Sequence, residues 1–154
     1  MMPTPNFSLR PATDNDIETV THCVHAAFGH YVERIGRKPG PMLMNYRQEI
    51  HEHQVFVVEG EKQVVGVLVL CNTNEGFLLD VIAVEPRYQG IGVGRLMLEF
   101  SEAEALRQGN KSIYLYTHEL MTENQKLYSK IGYVEYDRRK ENGLARVYMR
   151  KQLK

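Results

Sequence analysis

The fold is decided by residues 79–95, which read LDVIAVEPRYQGIGVGR. The β-branched run up to Val84 predicts a buried strand, and the helical periodicity that starts at Val93 means that the glycines open a helix. Because glycine carries no Cβ, successive backbone amides in this loop can approach one anion, and the helix N-terminus adds N–H groups without partners. The loop is therefore predicted to bind a phosphate or pyrophosphate, with Arg87 and Arg95 placed to add charged contacts.

The glycine spacing differs from that of two widespread nucleotide-binding loops. A P-loop ends in Gly-Lys-Ser/Thr, whereas Gly94 is followed here by Arg95 and Leu96. A Rossmann-like dinucleotide fold places GxGxxG directly after a strand and an acidic residue about 20 positions further on, which is near Glu119 here. In this chain residues 85–88 separate the strand from the glycines, and the spacing is GxGxG. A nucleotide-binding fold and a merely flexible turn remain as alternatives.

The rest of the chain alternates helical and strand-like segments of one domain, which we assign to residues 1–154. Turn residues separate three β-branched runs and predict an antiparallel meander, and Asn142-Gly143 predicts a tight hairpin turn. The predicted strands are residues 7–11, 55–59, 64–71, 76–84, 112–117, 133–139 and 145–149. The predicted helices are residues 13–28, 42–51, 93–107 and 122–130, with a turn-rich basic loop at 34–41. This order predicts an α/β domain with a mostly antiparallel sheet and one parallel crossover.

The composition is that of an ordinary globular chain. Of 154 residues, 43% are hydrophobic and 25% are charged, and 19 basic side chains balance 19 acidic ones. We therefore expect neither nucleic acid nor a membrane surface as a partner. No apolar run nears the roughly 18 residues of a spanning helix, and residues 1–10 lack the pattern of a signal peptide, so we expect a cytoplasmic protein. Cys23 and Cys71 are predicted to be buried, reduced thiols.

Two motifs resemble one enzyme family. The strand at residues 79–84, followed by Gln89-x-x-Gly92-x-Gly94 and a helix, resembles the acetyl-CoA signature of the GNAT superfamily of N-acetyltransferases. Leu127-Tyr128-x-x-x-Gly132-Tyr133 resembles the second motif of that family, and the resemblance covers roughly residues 7–151. It implies an α/β (α+β) fold with a mixed, mostly antiparallel sheet of about seven strands flanked by about four helices. It also implies transfer of an acetyl group from acetyl-CoA to a primary amine by direct attack.

The resemblance assigns a set of residues to acetyl-CoA. The loop amides would bind the pyrophosphate, and the backbone of residues 82–84 would pair with the pantetheine arm like an added strand. The family often has an asparagine seven residues before the tyrosine, but Met121 stands there, and Asn124 shares a helix face with Tyr128 instead. The implied cofactor residues are Ile82, Ala83, Val84, Gln89, Gly90, Ile91, Gly92, Val93, Gly94, Arg95, Asn124 and Tyr128.

Acetyl transfer also needs an acid and a base. Tyr128 occupies the family position of the acid that protonates the departing thiolate, although a tyrosine at a helix end can simply pack. An amine with a pKa near 10.4 is almost fully protonated at pH 7, so a base helps, and the candidates are Asp80, His118 and Glu119. Some family members carry a glutamate base where this chain has Tyr116. No cysteine lies near the motifs to carry the acyl group, which favours direct attack.

The acceptor amine is left open by the sequence. By resemblance, the first two helices and their connection recognise it, and Arg34, Arg37 and Lys38 either hold an anionic group or are simply solvated. Tyr31 and Tyr46 either line the acceptor pocket or pack. The acceptor is a small-molecule or a protein amine, and the chain is a monomer or a homodimer.

Two histidine pairs and one further alternative complete the sequence-based predictions. His22-x-x-His25 and His51-x-His53 lack the additional ligands of a zinc site, so we predict no metal. The alternative to an enzyme is a non-catalytic acyl-CoA-binding regulatory module. Such a module needs the glycine loop but neither Tyr128 nor a base.

Overall fold

In the computed structural model, which describes residues 6–154, seven strands form one sheet in the order β1-β2-β3-β4-β5-β7-β6. Their bounds are β1 Ser8–Pro11, β2 Gln54–Gly60, β3 Gln63–Thr73, β4 Gly76–Val84, β5 Ser112–His118, β6 Val134–Glu141 and β7 Leu144–Gln152. All neighbouring strands are antiparallel except β4 and β5, which are parallel. The predicted mixed, mostly antiparallel sheet is confirmed. It excludes the Rossmann-like alternative, which needs a mainly parallel sheet.

Five helices of the described residues 6–154 surround this sheet, one more than the approximate number predicted. They are α1 Ile17–Phe28, α2 Tyr31–Ile35, α3 Tyr46–Glu52, α4 Val93–Arg107 and α5 Thr122–Lys130. The short α2 begins just before the segment that was predicted to be a loop. The helix predicted for residues 42–51 begins only at Tyr46, because Asn45 caps it by accepting the Gln48 N–H. No helix within residues 6–154 has the length and apolar character of a membrane span.

The helices cover both faces of the sheet and create two hydrophobic layers. On one face α4 and α5 pack over strand residues such as Leu68 and Phe77, which are fully buried. On the other face α1 and α3 pack over residues such as Val57. Cys23 and Cys71 lie in this second layer as buried free thiols, as predicted, and burial raises the pKa of each to about 12.

The parallel strands β4 and β5 separate along their length. Along these two strands, both described in full, one registered pair forms, between Leu78 and Tyr114. Beyond it, residues 82–84 of β4 pair with β3 on one side only, and β5 pairs with β7. The strands thus enclose a wedge-shaped gap. Residues 82–84 of β4 border it without a registered partner in β5, and the Val84 carbonyl accepts a hydrogen bond from the Gln89 side-chain amide at 3.1 Å. This gap is where the functional residues collect.

A bulge in β4 lies at the start of the gap. Leu79 pairs with Leu70 and Val81 pairs with Val69, which leaves Asp80 without a partner across β3. A bulge bends the strand and redirects one side chain. Here it directs the Asp80 carboxylate towards the gap.

Candidate functional site

The first cavity lies between the unpaired end of β4, the glycine loop and α5. Its volume is about 590 Å³. Ten of the twelve predicted cofactor residues line it, namely Ile82, Ala83, Val84, Gln89, Gly90, Gly92, Gly94, Arg95, Asn124 and Tyr128. The other two do not: the side chain of Ile91 is half exposed, and that of Val93 is buried in the core. Ile91 and Val93 therefore offer only their backbone to a ligand.

The glycine loop has the geometry of an anion-binding turn. Gly90 and Gly92 have φ angles of +80° and +103°, which side chains other than glycine rarely adopt. Gly92 is the N-cap of α4, and no side chain caps this helix end, so its first amides are available to a ligand. A Cβ at Gly94 would meet Val84 Cγ2 at 3.7 Å, an ordinary contact. The fold itself therefore does not require glycine at position 94.

The second cavity lies deeper in the gap between β4 and β5 and measures about 280 Å³. It shares four lining residues with the first cavity: Phe28, Ile82, Asn124 and Tyr128. The two cavities are thus adjacent and meet at the α5 tyrosine. A ligand in one cavity can touch a ligand in the other only at this junction.

Tyr128 is the buried phenol at the junction. Its ring packs edge-on against Tyr133 at a centroid distance of 5.7 Å, and only 7% of the residue is exposed. Within the described part of the chain, no group forms a hydrogen bond with its hydroxyl. Burial raises the pKa of Tyr128 above its usual value, so the phenol stays protonated at neutral pH. It is a proton donor without a protein acceptor, at the point where two substrates would meet.

Asp80 lines the second cavity and has a carboxylate suited to accept a proton. Its Oδ1 accepts a hydrogen bond from the Tyr116 hydroxyl at 3.0 Å, and its Oδ2 lies 3.7 Å from the Cys71 thiol, which donates to it. Burial raises the pKa of Asp80 above its usual value despite these two donors. A carboxylate with a raised pKa is a stronger base than one in water.

His118 also lines the second cavity, but its geometry favours a donor over a base. Its Nδ1 accepts the Leu120 N–H at 3.1 Å, which assigns the proton of the neutral ring to Nε2. Burial lowers the pKa of His118, so the ring is neutral at pH 7. Glu119, the third candidate base, is exposed and lines neither cavity.

The basic side chains of the loop that was expected to select the acceptor lie outside both cavities, although Pro39, Gly40 and Pro41 of the same loop line the second one. Arg34 is paired with Glu123 at 2.5 Å, and it also donates to the Leu120 carbonyl. Arg37 and Lys38 are exposed and line neither cavity. The structure therefore does not place this basic cluster at the acceptor cavity.

The two candidate acceptor tyrosines also lie away from the second cavity. Tyr31 lines the first cavity, stacked on His30 at a centroid distance of 3.9 Å. Tyr46 is buried in the core, where its hydroxyl donates to the Pro41 carbonyl at 2.7 Å. Pro41 itself lines the second cavity, so Tyr46 supports the wall from behind.

Arg146 is a cavity residue that the sequence analysis did not single out. It lies on β7, lines the second cavity, and has a side chain that is only 16% exposed. Its guanidinium lies over the Tyr116 ring, 4.4 Å from the centroid, and 3.6 Å from the Glu141 carboxylate. The signal is weak in the sequence, because Arg146 is one of several arginines in the predicted hairpin. Only the pairing of β7 with β5 brings it beside the gap.

A family comparison is consistent with this arrangement. A family model described as an acetyltransferase (GNAT) domain matches residues 51–135, more than half of the chain. The matched segment contains the glycine loop, Asp80 and Tyr128. A search of curated protein sequences finds no match.

Solved structures share the fold along nearly the whole chain. A GCN5-related N-acetyltransferase from Rhodopseudomonas palustris has a TM-score of 0.80 at 21% identity, covering 99% of this chain and 98% of the other. The PaiA N-acetyltransferase from Thermoplasma acidophilum, solved with coenzyme A, has a TM-score of 0.79 at 15% identity, and the match covers 96% of this chain and 99% of the other. The ribosomal-protein-S18-alanine N-acetyltransferase from Escherichia coli has a TM-score of 0.77 at 17% identity, and the match covers 96% of this chain and 94% of the other. At these identities the likeness is one of fold.

Proposed function

The chain belongs to the GNAT family of acetyltransferases, and from this premise we propose that it transfers the acetyl group of acetyl-CoA to a primary amine by direct attack. The observation that carries the proposal is the meeting of two cavities at Tyr128, a buried tyrosine whose hydroxyl has no hydrogen-bond partner among the described residues. One cavity has the glycine loop of an anion site, and the other has a carboxylate of raised pKa. Direct attack is the simplest route, because a donor in one cavity and an acceptor in the other would lie side by side.

The first cavity fits acetyl-CoA in its size and its donors. The uncapped amides at the start of α4 would hold the pyrophosphate, and the positive φ angles of Gly90 and Gly92 keep those amides turned towards the cavity. The unpaired edge of β4 at residues 82–84 would bind the amides of the pantetheine arm as a strand would. When bound there, acetyl-CoA supplies a thioester carbonyl and a thiol leaving group.

The protein residues then handle the protons. Asp80 would accept a proton from the ammonium form of the acceptor and pass it to solvent, which leaves a neutral amine to attack the acetyl carbon. As the carbon–nitrogen bond forms, the nitrogen loses its second proton to Asp80. Tyr128 would donate a proton to the sulfur as the carbon–sulfur bond breaks, and solvent would return that proton to the phenol. His118 would act as a hydrogen-bond donor through Nε2–H, because its Nδ1 is already occupied by the Leu120 N–H.

Replacing Tyr128 with phenylalanine tests the role of the hydroxyl. Tyr128→Phe keeps the ring and its packing, so acetyl-CoA affinity and thermal stability should change little. Because loss of a general acid usually costs about 10²–10⁴ in rate, we expect kcat to fall by that factor. The measurement is thiol release from acetyl-CoA with a panel of amines, under conditions in which chemistry limits the rate.

Tyr133→Phe is the matched control for this substitution. The Tyr133 hydroxyl is buried and unpaired within the described residues, and Tyr133 lines neither cavity although it packs against Tyr128. This variant should keep its full kcat. If Tyr128→Phe retains more than half of the wild-type kcat, the hydroxyl is not the acid. If wild-type protein binds CoA but releases thiol with none of the amines, the binding-module alternative is favoured.

A further inference from the structure

We propose that the acceptor is a free amino acid with an apolar side chain, whose carboxylate binds Arg146 and whose amino group faces Asp80. This inference rests on the proposed acetyl transfer and names the substrate class of the second cavity. It depends on the charges and the lining residues of that cavity, Arg146 first among them, and not on the glycine loop.

Arg146 is a sheltered cation whose donors are free. Within residues 6–154, none of its guanidinium N–H groups forms a hydrogen bond, and the ion pair with Glu141 is long, at 3.6 Å. Glu141 itself accepts a hydrogen bond from the Tyr148 hydroxyl, which holds that carboxylate on the Nη1 side. Nη2 lies beside Gly40, and both residues line the cavity, so a ligand in the cavity could reach the guanidinium on this side. A planar fork of free donors fits a carboxylate in a bidentate manner.

Asp80 provides the opposite charge within the same cavity. Both groups contact one side chain: the Tyr116 hydroxyl donates to Asp80, and the Tyr116 ring stacks under Arg146. The two charges are therefore held apart by about the length of one tyrosine. Among the described residues that line the cavity, Asp80 is the only acidic one and Arg146 the only arginine or lysine. A zwitterion with its ammonium towards Asp80 and its carboxylate towards Arg146 complements this pair.

Most of the remaining wall is apolar and the space is small. Phe28, Pro41, Met44, Leu79, Met121 and Leu144 belong to the apolar part, and Tyr116, Thr117, His118, Asn124 and Tyr128 add neutral polar groups. A volume of about 280 Å³ is just below the range of about 300–1,000 Å³ that drug-sized ligands occupy. An aliphatic side chain would bury its surface there, whereas a third charged group would find no side chain of opposite charge among these residues. The carboxylate requirement favours a free amino acid over a peptide N-terminus, whose carboxyl group is tied up in an amide.

The test compares three related acceptors with two arginine variants. The acceptors are L-leucine, L-leucinamide and 3-methylbutylamine, which carry the same side chain with a carboxylate, a neutral amide or neither. Arg146→Gln should lower kcat/KM for L-leucine by about 10- to 100-fold, as expected for loss of a charge-assisted contact, and change the values for the other two amines less than threefold. Comparing the variants for each acceptor cancels the different pKa values of the three amines. Arg146→Lys should restore part of the L-leucine value.

Arg150→Gln is the matched control. Arg150 lies four residues further along β7, and it stacks over Tyr114 as Arg146 stacks over Tyr116, but it does not line the cavity. This variant should acetylate L-leucine at the wild-type rate. If Arg146→Gln affects all three acceptors equally, or if wild-type protein prefers the amines without a carboxylate, the inference is overturned while acetyl transfer stands.

Binding is measured separately from turnover, so that failure of the inference and failure of the proposed function can be told apart. Calorimetric titration of L-leucine into the protein saturated with CoA needs no acetyl transfer. Binding that Arg146→Gln weakens by about 10-fold or more supports the inference even if no amine is acetylated, an outcome that would overturn only the proposed function. No binding of L-leucine together with no turnover of it overturns the inference.

Discussion

At the scale of single residues, the site contains a carboxyl group in surroundings that disfavour its charged form. Asp80 is a carboxyl group in a bulge, stripped of most of its water, and only the Tyr116 hydroxyl and the Cys71 thiol face its oxygens. Because burial penalises the charged form, the pKa of Asp80 is raised. The same burial that destabilises the ionised carboxylate makes it a better base.

Replacing Asp80 with asparagine should therefore raise stability and lower activity. A carboxyl group with a raised pKa stabilises the fold most below its unfolded pKa, near 3.9, and this contribution is lost as pH rises through the folded pKa. Asparagine cannot ionise, so Asp80→Asn should melt at a higher temperature than wild type at pH 7–8. The difference should vanish towards pH 4, and kcat should fall by about 10²–10⁴. Melting curves from pH 4 to 9 and amine acetylation rates measure both effects; equal melting temperatures at all pH values would contradict the argument.

The sequence could predict some of these residues and not others, for a physical reason. Asp80 and Tyr128 lie within or beside motifs whose strand and helix position them locally. Arg146 reaches the cavity only because β7 pairs with β5, in a register that sets Arg146 opposite His118. The sequence also could not reveal that Arg34 is paired with Glu123, because formal charge alone does not identify a partner.

At the scale of elements, the segments with strong local signals were predicted well. The Asn142-Gly143 turn has φ angles of +53° and +76°, as a tight hairpin of this kind requires, and α4 spans the predicted residues 93–107. The helix boundaries that the sequence predicted wrongly are those set by capping residues and by tertiary contacts. Residues 40–43 form a 3₁₀ turn and α3 starts later, at the cap that Asn45 provides. The bulge at Asp80 and the separation of β4 from β5 arise from pairing across the sheet, which the sequence does not display.

The start of α4 yields a prediction in which stability and binding change in opposite directions. Because a Cβ at Gly94 has ordinary contacts in the free protein, Gly94→Ala should leave stability unchanged or raise it by up to about 1 kcal/mol, the usual gain of alanine over glycine in a helix. The added methyl group lies beside the amides that would hold the pyrophosphate, so CoA affinity should fall, and it should fall further in Gly94→Val. Calorimetric titration with CoA and thermal melting measure the two effects.

Leu106→Ala serves as the control, because Leu106 is an exposed residue at the far end of the same helix. This variant should bind CoA as wild type does. Unchanged CoA affinity in a folded Gly94→Val protein would show that the ligand does not approach this loop.

At the scale of the whole molecule, the active groups come from both sides of a divided sheet. Asp80 belongs to β4, whereas Arg146 and the Tyr128 helix belong to the part that follows β5. The only registered pair between β4 and β5, two strands described along their full length, is Leu78 with Tyr114. The gap in which we propose that substrates bind is thus also the place where β4 and β5 lack registered pairing with each other. A ligand that fills the gap would form some of the backbone hydrogen bonds that β4 and β5 do not form with each other.

Coenzyme A should therefore stabilise the whole fold and protect the free edge of β4 from hydrogen exchange. Binding to the native state alone stabilises it by RT ln(1 + [L]/Kd), about 2.7 kcal/mol at 100 times Kd, so the melting temperature should rise with CoA concentration. Hydrogen exchange should slow at the amides of the glycine loop and also at residues 82–84 of β4. Adenosine 3′,5′-bisphosphate, which lacks the pantetheine arm, should leave the exchange of residues 82–84 unchanged. If CoA protects the loop but leaves residues 82–84 exchanging as fast as in the free protein, the arm does not enter the gap, and the strand-like pairing proposed here is wrong.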